Sequence, residues 1–180
     1  QSGSGFQEVT FAGGFGHIQK GHGVGFGDVD RDGDQDIYTV IGGAVEGDNF
    51  RNALFENPGH HHNWITLDLV GTRSNRSAMG ARLQLSVVDS VGATRTLHRT
   101  VGRGGSFGAV SLQQEIGLGG ATHIQTLTVT WPNAERTTQT FNDIAVNQHL
   151  RVVEGEAVPE PLDRSPVPLN TAARSATARR

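Results

Sequence analysis

The stretch Trp64-Ile-Thr-Leu-Asp-Leu-Val70 decides the fold. Ile65, Leu67 and Leu69 fall on one side of an extended chain, and Thr66 and Asp68 on the other. A period of two is the signature of a strand with one apolar face. The same period recurs in Ala81–Val87, where Leu83, Leu85 and Val87 alternate with Arg82, Gln84 and Ser86, and in Leu127–Trp131, where Leu127, Val129 and Trp131 alternate with Thr128 and Thr130. His149–Glu154 is a further segment of this kind. Repeated alternation separated by turn residues predicts antiparallel sheet with one wet face. No segment carries a helical period with caps. Ser111–Glu115 is the one stretch read as a helical turn.

Outward from this block the texture changes. The 25 glycines among 180 residues are spread without a period of three, which means many tight turns. Residues 1–5 read as a flexible lead, Phe6–Phe11 as a short strand, and Ala12–Gly27 as glycine-dense loop. Asp36–Ile41 is β-branched and aromatic and reads as a buried strand. Asn52–Asn57 reads as a short strand before the turn Asn57–Asn63. Residues 155–180 hold four of the six prolines with Ala, Ser, Thr and Arg. That composition does not bury enough apolar surface to fold alone. If ordered, it must lie on its own body or on a neighbouring subunit. The expected division is 1–57, a β unit around an acidic loop; 58–154, a β domain; and 155–180, an extended tail.

Several function classes are excluded at this level. With no cysteine, there are no disulfides, thiol chemistry or Cys-bound zinc. A net charge of −3 and no basic stripe interleaved with aromatics argue against nucleic acid. No apolar run reaches the length of a membrane span.

The segment with the most specific chemistry is Gly27-Asp-Val-Asp-Arg-Asp-Gly-Asp-Gln-Asp36. Asp28, Asp30, Asp32, Asp34 and Asp36 occupy every second position, and Gly33 permits a sharp turn. Alternate carboxylates in a tight loop converge on one point. A hard cation that takes six to eight oxygens then collects Asp28, Asp30, Asp32, the carbonyl of Asp34, and Asp36. Flexibility and carboxylate richness favour Ca2+ over Mg2+. The loop is not an EF-hand, since Thr39 stands where the bidentate Glu would be and a strand follows. A structural ion is expected here rather than a catalytic one.

Other groups point less far. His60, His61 and His62 are adjacent in a turn, where neighbours rarely face one ion. His17 and His22 flank the glycine loop. The lysine-bearing glycine segment lacks the ending of a phosphate loop. Ser74, Ser77, Ser106 and Ser111 lack a nucleophile-elbow setting. Glu115, Glu135 and Asp143 are scattered. Asn75-Arg76-Ser77 is a glycosylation triplet that a turn explains equally well. Trp64 and Trp131 lie in alternating strands and read as packing residues, with sugar stacking as the alternative.

Gly21–Gly43 resembles an FG-GAP/VCBS repeat. Asn52–Asn57, Asn63–Leu85, Val101–Phe107, Glu115–Ala121 and Leu127–Glu135 resemble the ASPIC/UnbV domain. The order is similar to the C-terminal part of proteins related to cartilage acidic protein and of bacterial UnbV-type proteins. The resemblance implies an all-β, extracellular, calcium-binding protein and no catalytic residues. The expected fold is an antiparallel β-sandwich-like domain preceded by a single calcium-loop repeat, with an extended C-terminal tail. One repeat does not close a propeller, so its sheet edges stay unpaired. We therefore expect a structural or adhesion module that self-associates through sheet edges or the tail, into a filament if the contact does not close. A glycan is the further candidate partner. The alternatives are a carbohydrate-binding β module and an accessory or catalytic protein of a natural-product pathway.

Overall fold

The computed structural model describes residues 6–43, 45–102, 104 and 110–169. The expected flexible lead at 1–5, Ser106, most of the glycine segment at 101–107 and the end of the tail lie outside these residues. Eleven strands and no helix are present among the described residues: β1 (Gly21–Gly27), β2 (Asp36–Ile41), β3 (Ala53–Phe55), β4 (Asn63–Val70), β5 (Arg82–Asp89), β6 (Thr94–Thr100), β7 (Gln114–Gly119), β8 (Ala121–Thr130), β9 (Thr138–Ala145), β10 (Gln148–Val153) and β11 (Glu160–Leu162).

They form three sheets. The first, in order β1-β2-β3, carries the aspartate loop between its first two strands. The second has the order β11-β10-β4-β7 and the third β6-β5-β8-β9. The apolar stripes read from the alternation meet in one core. Ile65, Leu67, Ile116, Leu118, Leu150 and Val152 of the second sheet face Leu83, Leu85, Val87, Ile124, Leu127 and Val129 of the third. Trp131 is fully buried at the end of this sandwich. Burying such side chains contributes about 2 kcal/mol each, which is why the period-two pattern fixes the register.

Four local expectations are corrected. Phe6–Phe11 pairs with no strand among the described residues; Phe6 and Phe11 are exposed, and the segment closes a turn in which the Gly13 amide donates to the Val9 carbonyl at 2.7 Å. Gly21–Gly27 is a strand and not a loop, because its backbone groups pair with β2 from Gly27↔Asp36 to Gly21↔Ile41. Asp36–Ile41 is only half buried, with Tyr38 and Val40 exposed, since no sheet among the described residues covers that face. The helical turn at Ser111–Glu115 is absent; β7 begins at Gln114 because its backbone groups find partners on β4.

The sheets are antiparallel except at β4 and β10, which run parallel with Leu67 opposite Leu150. Most of the sandwich lies between these two strands in the chain, so a parallel pairing is open to them. The wet face also holds for only one sheet. The outer face of the third exposes Arg82 and Gln84. On the outer face of the second, Thr66 and His149 are buried. Two elements cover it: the aspartate loop and residues 160–167 of the tail.

Residues 160–167 of the tail therefore dock in cis. β11 adds to β10, with Leu162 opposite His149. Arg164 then pairs with Asp68 and reaches Gln113. The Val167 amide donates to the Asp30 carbonyl at 2.6 Å. Of the two places expected for the tail, its own body or a neighbouring subunit, residues 160–167 take the first. The nearest free edge is β10 of the same chain, and strand addition within one chain avoids the entropy of association.

Candidate metal loop and its seat on the sandwich

The loop is built by its own carboxylates. The Asp28 side chain accepts from the amides of Asp32 (3.0 Å) and Gly33 (3.1 Å). Asp32 accepts from the Asp34 amide at 2.9 Å. These Asx-type bonds wind residues 28–34 into successive turns. Arg31 and Gly33 take positive φ, 61° and 98°.

The winding brings one oxygen each of Asp28, Asp30 and Asp32 within 4.8 Å of one another. The other two aspartates sit elsewhere. Asp36 is buried and spends both oxygens on backbone, accepting from Val29 at 3.0 Å and Asn57 at 2.8 Å. It ties the hairpin to the chain after β3. The Asp34 carboxylate lies beside Gly59. Burial pushes the Asp28 carboxyl up to about 6; the Gly33 amide opposes this, and the charges of Glu115 and Asp32 reinforce it. Burial likewise raises Asp30. Three converging carboxylate oxygens, two of them on groups whose burial penalises an uncompensated charge, fit a hard cation and no soft one.

The loop is seated on the outer face of the second sheet. Glu115 of β7 accepts from the Asp28 amide at 3.1 Å and from Gln35 Nε2 at 2.9 Å, while its other oxygen accepts from Gln113. A Cβ on Gly33 would fall within the Trp64 indole. Gly33 is therefore required twice, by its φ and by its contact. The Trp64 ring in turn packs on His149, with centroids 4.9 Å apart. Trp64 is thus spent between the loop and the sheet. Trp131 is fully buried in the core, the packing role expected for it.

The remaining candidates stay apart. His60 and His62 stack on each other at 6.4 Å on the surface. Exposed His17 and His22 are not grouped with the aspartates. Asn75 donates to and accepts from the Met79 backbone, both at 2.9 Å, which is the turn role expected for it. A cavity of about 460 Å³ lies between the loop unit and the sandwich, lined in part by Phe26, Gln35, Arg99 and Glu115. Its one carboxylate is already engaged with Asp28, Gln35 and Gln113. Glu135 pairs with Arg73 on the surface, and Asp143 takes a positive φ on β9.

Two carboxylates hold places that the sequence did not assign them. Glu115 had no local motif, and only the sheet places it under the loop. Glu154 is the other. It is buried and accepts on Oε2 from the amides of Thr72 (2.9 Å), Arg73 (2.8 Å) and Ser74 (2.7 Å). Its Oε1 accepts from Ser74 Oγ at 2.9 Å and Asn133 Nδ2 at 2.7 Å. Burial alone would raise this carboxyl, but the amides of Ser74 and Thr72, the Asn133 side chain and the Arg73 amide outweigh it and hold it down at about 2. Glu154 thus locks the β4–β5 loop to the turn after β8 and to the end of β10. Its signal was present only as a Glu closing an alternating strand.

No curated protein matches this chain. Residues 71–159 match the family model described as ASPIC and UnbV, which begins after β4 and leaves the aspartate loop outside. The span holds both ends of the Glu154 lock and most strands of the sandwich, and the chain carries an ASPIC/UnbV domain at residues 71–159.

Proposed function

We propose that this chain is a non-catalytic extracellular module in which Ca2+, held by the FG-GAP/VCBS-like loop, fastens the first sheet to the ASPIC/UnbV sandwich. The observation that carries the reading is the convergence of Asp28, Asp30 and Asp32 in a loop seated on Glu115 and Trp64. The Asp34 carbonyl is the further oxygen that the spacing suggests, while Asp36, engaged with the Val29 and Asn57 amides, anchors the loop from behind. The ion's part is to neutralise carboxylates that burial would otherwise penalise. The chain's own residues do the rest: they wind the loop, place it and cover the sheet.

Ion binding to the folded state alone adds stability by mass action. At a hundredfold excess over Kd it amounts to about 2.7 kcal/mol. For a chain of this size Tm should rise by roughly 6 °C on adding calcium and fall again with chelator. Asp30→Ala should abolish the response. Calorimetric titration and thermal melts with and without EDTA test it, and an unchanged Tm would remove the calcium reading.

The same module is proposed to self-associate through β1. Edge strand β6 carries Arg95, His98 and Arg99, and edge strand β11 carries Pro161. These block pairing with a further strand. β1 has no Asp, Glu, Lys, Arg or Pro and exposes Val24 and Phe26. Sedimentation at increasing concentration should show dimers or larger species that Val24→Lys disperses. A monomer throughout would leave the module without this property.

A further inference from the structure

His149 is poorly explained by packing alone. It is 6% exposed, and neither Nδ1 nor Nε2 has a hydrogen-bond partner among the described residues. A neutral imidazole always carries one N–H, so a buried donor is left without a protein acceptor, which is costly. A phenylalanine would stack on Trp64 without that cost. An orphaned buried polar group of this kind calls for a role beyond packing.

The ring's position suggests the role. In the second sheet His149 lies in one row with Leu162 of β11, Thr66 of β4 and Glu115 of β7. This row is the face on which the aspartate loop and the tail strap rest. Each charged group around the ring has its own place. Arg164 comes from the strap and Arg31 from the loop; Asp68 comes from β4 and Glu115 from β7. Asp68 is paired with Arg164, and Glu115 is bonded to the loop, so neither carboxylate reaches the imidazole. Arg151, next on the same face of β10, is paired with Glu160. A proton arriving on His149 would create a buried cation with no acceptor, beside the guanidiniums of the two elements that cover it.

We propose that His149 is an acid-sensitive latch: charging its ring releases the aspartate loop and the strap from the sandwich. Burial first, and then the Arg164 charge, lower the affinity of the docked ring for a proton. The docked state therefore binds fewer protons than the released one. Docking is at full strength above the ordinary histidine value of 6.5 and weakens as pH falls below it. Release would uncover Thr66, Trp64 and the β10 edge together.

Hydrogen exchange of the full chain tests this, in millimolar calcium at pH 7.5 and pH 5.0, corrected for intrinsic rates. In the wild type, protection of the amides of Asp28, Gly33 and Val167 should fall by up to about tenfold per pH unit below the released-state value, while β5 and β8 stay protected. His149→Phe keeps the stack on Trp64 and does not titrate, so its loop and strap should keep their protection at pH 5.0. His149→Gln gives the same reading if the phenylalanine does not fit. Equal protection of the wild type at both pH values would overturn the latch. So would an equal loss in the wild type and the non-titrating variants, which would assign acid release to the loop carboxylates. The calcium reading stands or falls on the melts with chelator, and the latch on this comparison of variants.

Discussion

Glu154→Ala is expected to lower the unfolding free energy by about 4 kcal/mol and Tm by about 10 °C. The reason lies in what is left behind. Three backbone amides, of Thr72, Arg73 and Ser74, lose their shared acceptor, and the Ser74 hydroxyl and Asn133 amide lose theirs. Donors stranded in a buried turn cost more than the bonds were worth net, and the alanine also opens a cavity. Glu154→Gln should cost less, since its amide oxygen still accepts, yet one Nε2–H₂ then faces donors. The carboxylate also sets an acid limit. Its value is depressed from 4.5 to about 2 in the fold, so its stabilisation is complete above 4.5 and is lost as pH falls from there towards 2. Chemical denaturation of the wild type and both variants between pH 7 and pH 2 checks this. The gap between wild type and Glu154→Gln should close in acid, and a constant gap would contradict the lock.

Gly33→Ala is expected to undock the aspartate loop at a cost of about 3 kcal/mol. A positive φ is strained for alanine, and the added Cβ occupies the space of the Trp64 indole, so backbone and packing penalties add. The sandwich core does not touch this contact. The effect should therefore be local. Trp64 fluorescence should shift to the red and the Asp28 and Gly33 amides should lose protection, while the core strands β5 and β8 keep theirs. Calcium affinity should fall with the docking, because the loop loses the Glu115 and Trp64 seat that holds Asp28 in place. A variant with wild-type fluorescence and exchange would show that Trp64 is not seated on the loop.

The two variants separate the molecule into parts that were unequally legible from the chain. The sandwich was legible because burial on one face of a strand writes itself at period two. Ile65, Leu67 and Leu69, or Leu83, Leu85 and Val87, announce their sheet without reference to anything distant. The loop was legible because carboxylate convergence needs only a local winding, and the turn at Gly33 is local too. β1 was missed because its alternate glycines carry no burial signal; a neighbouring strand gives them their conformation.

What covers the outer face of the second sheet was written nowhere in sequence. Glu115, Trp64 and His149 are 34 and more residues apart, and nothing in their own surroundings marks them as one surface. Cross-strand register places them together and then sets the loop and strap upon them. Glu154 is the same case, 80 residues from the Ser74 amide it holds. The amino-acid sequence by itself determined the all-β class, the core stripes and the acidic loop, since each depends on near neighbours. The tertiary structure alone decided that residues 160–167 close on their own chain, that the loop has a seat, and that a buried histidine lies beneath it. Those depend on pairing between distant strands, and local periodicity carries no information about distant pairing.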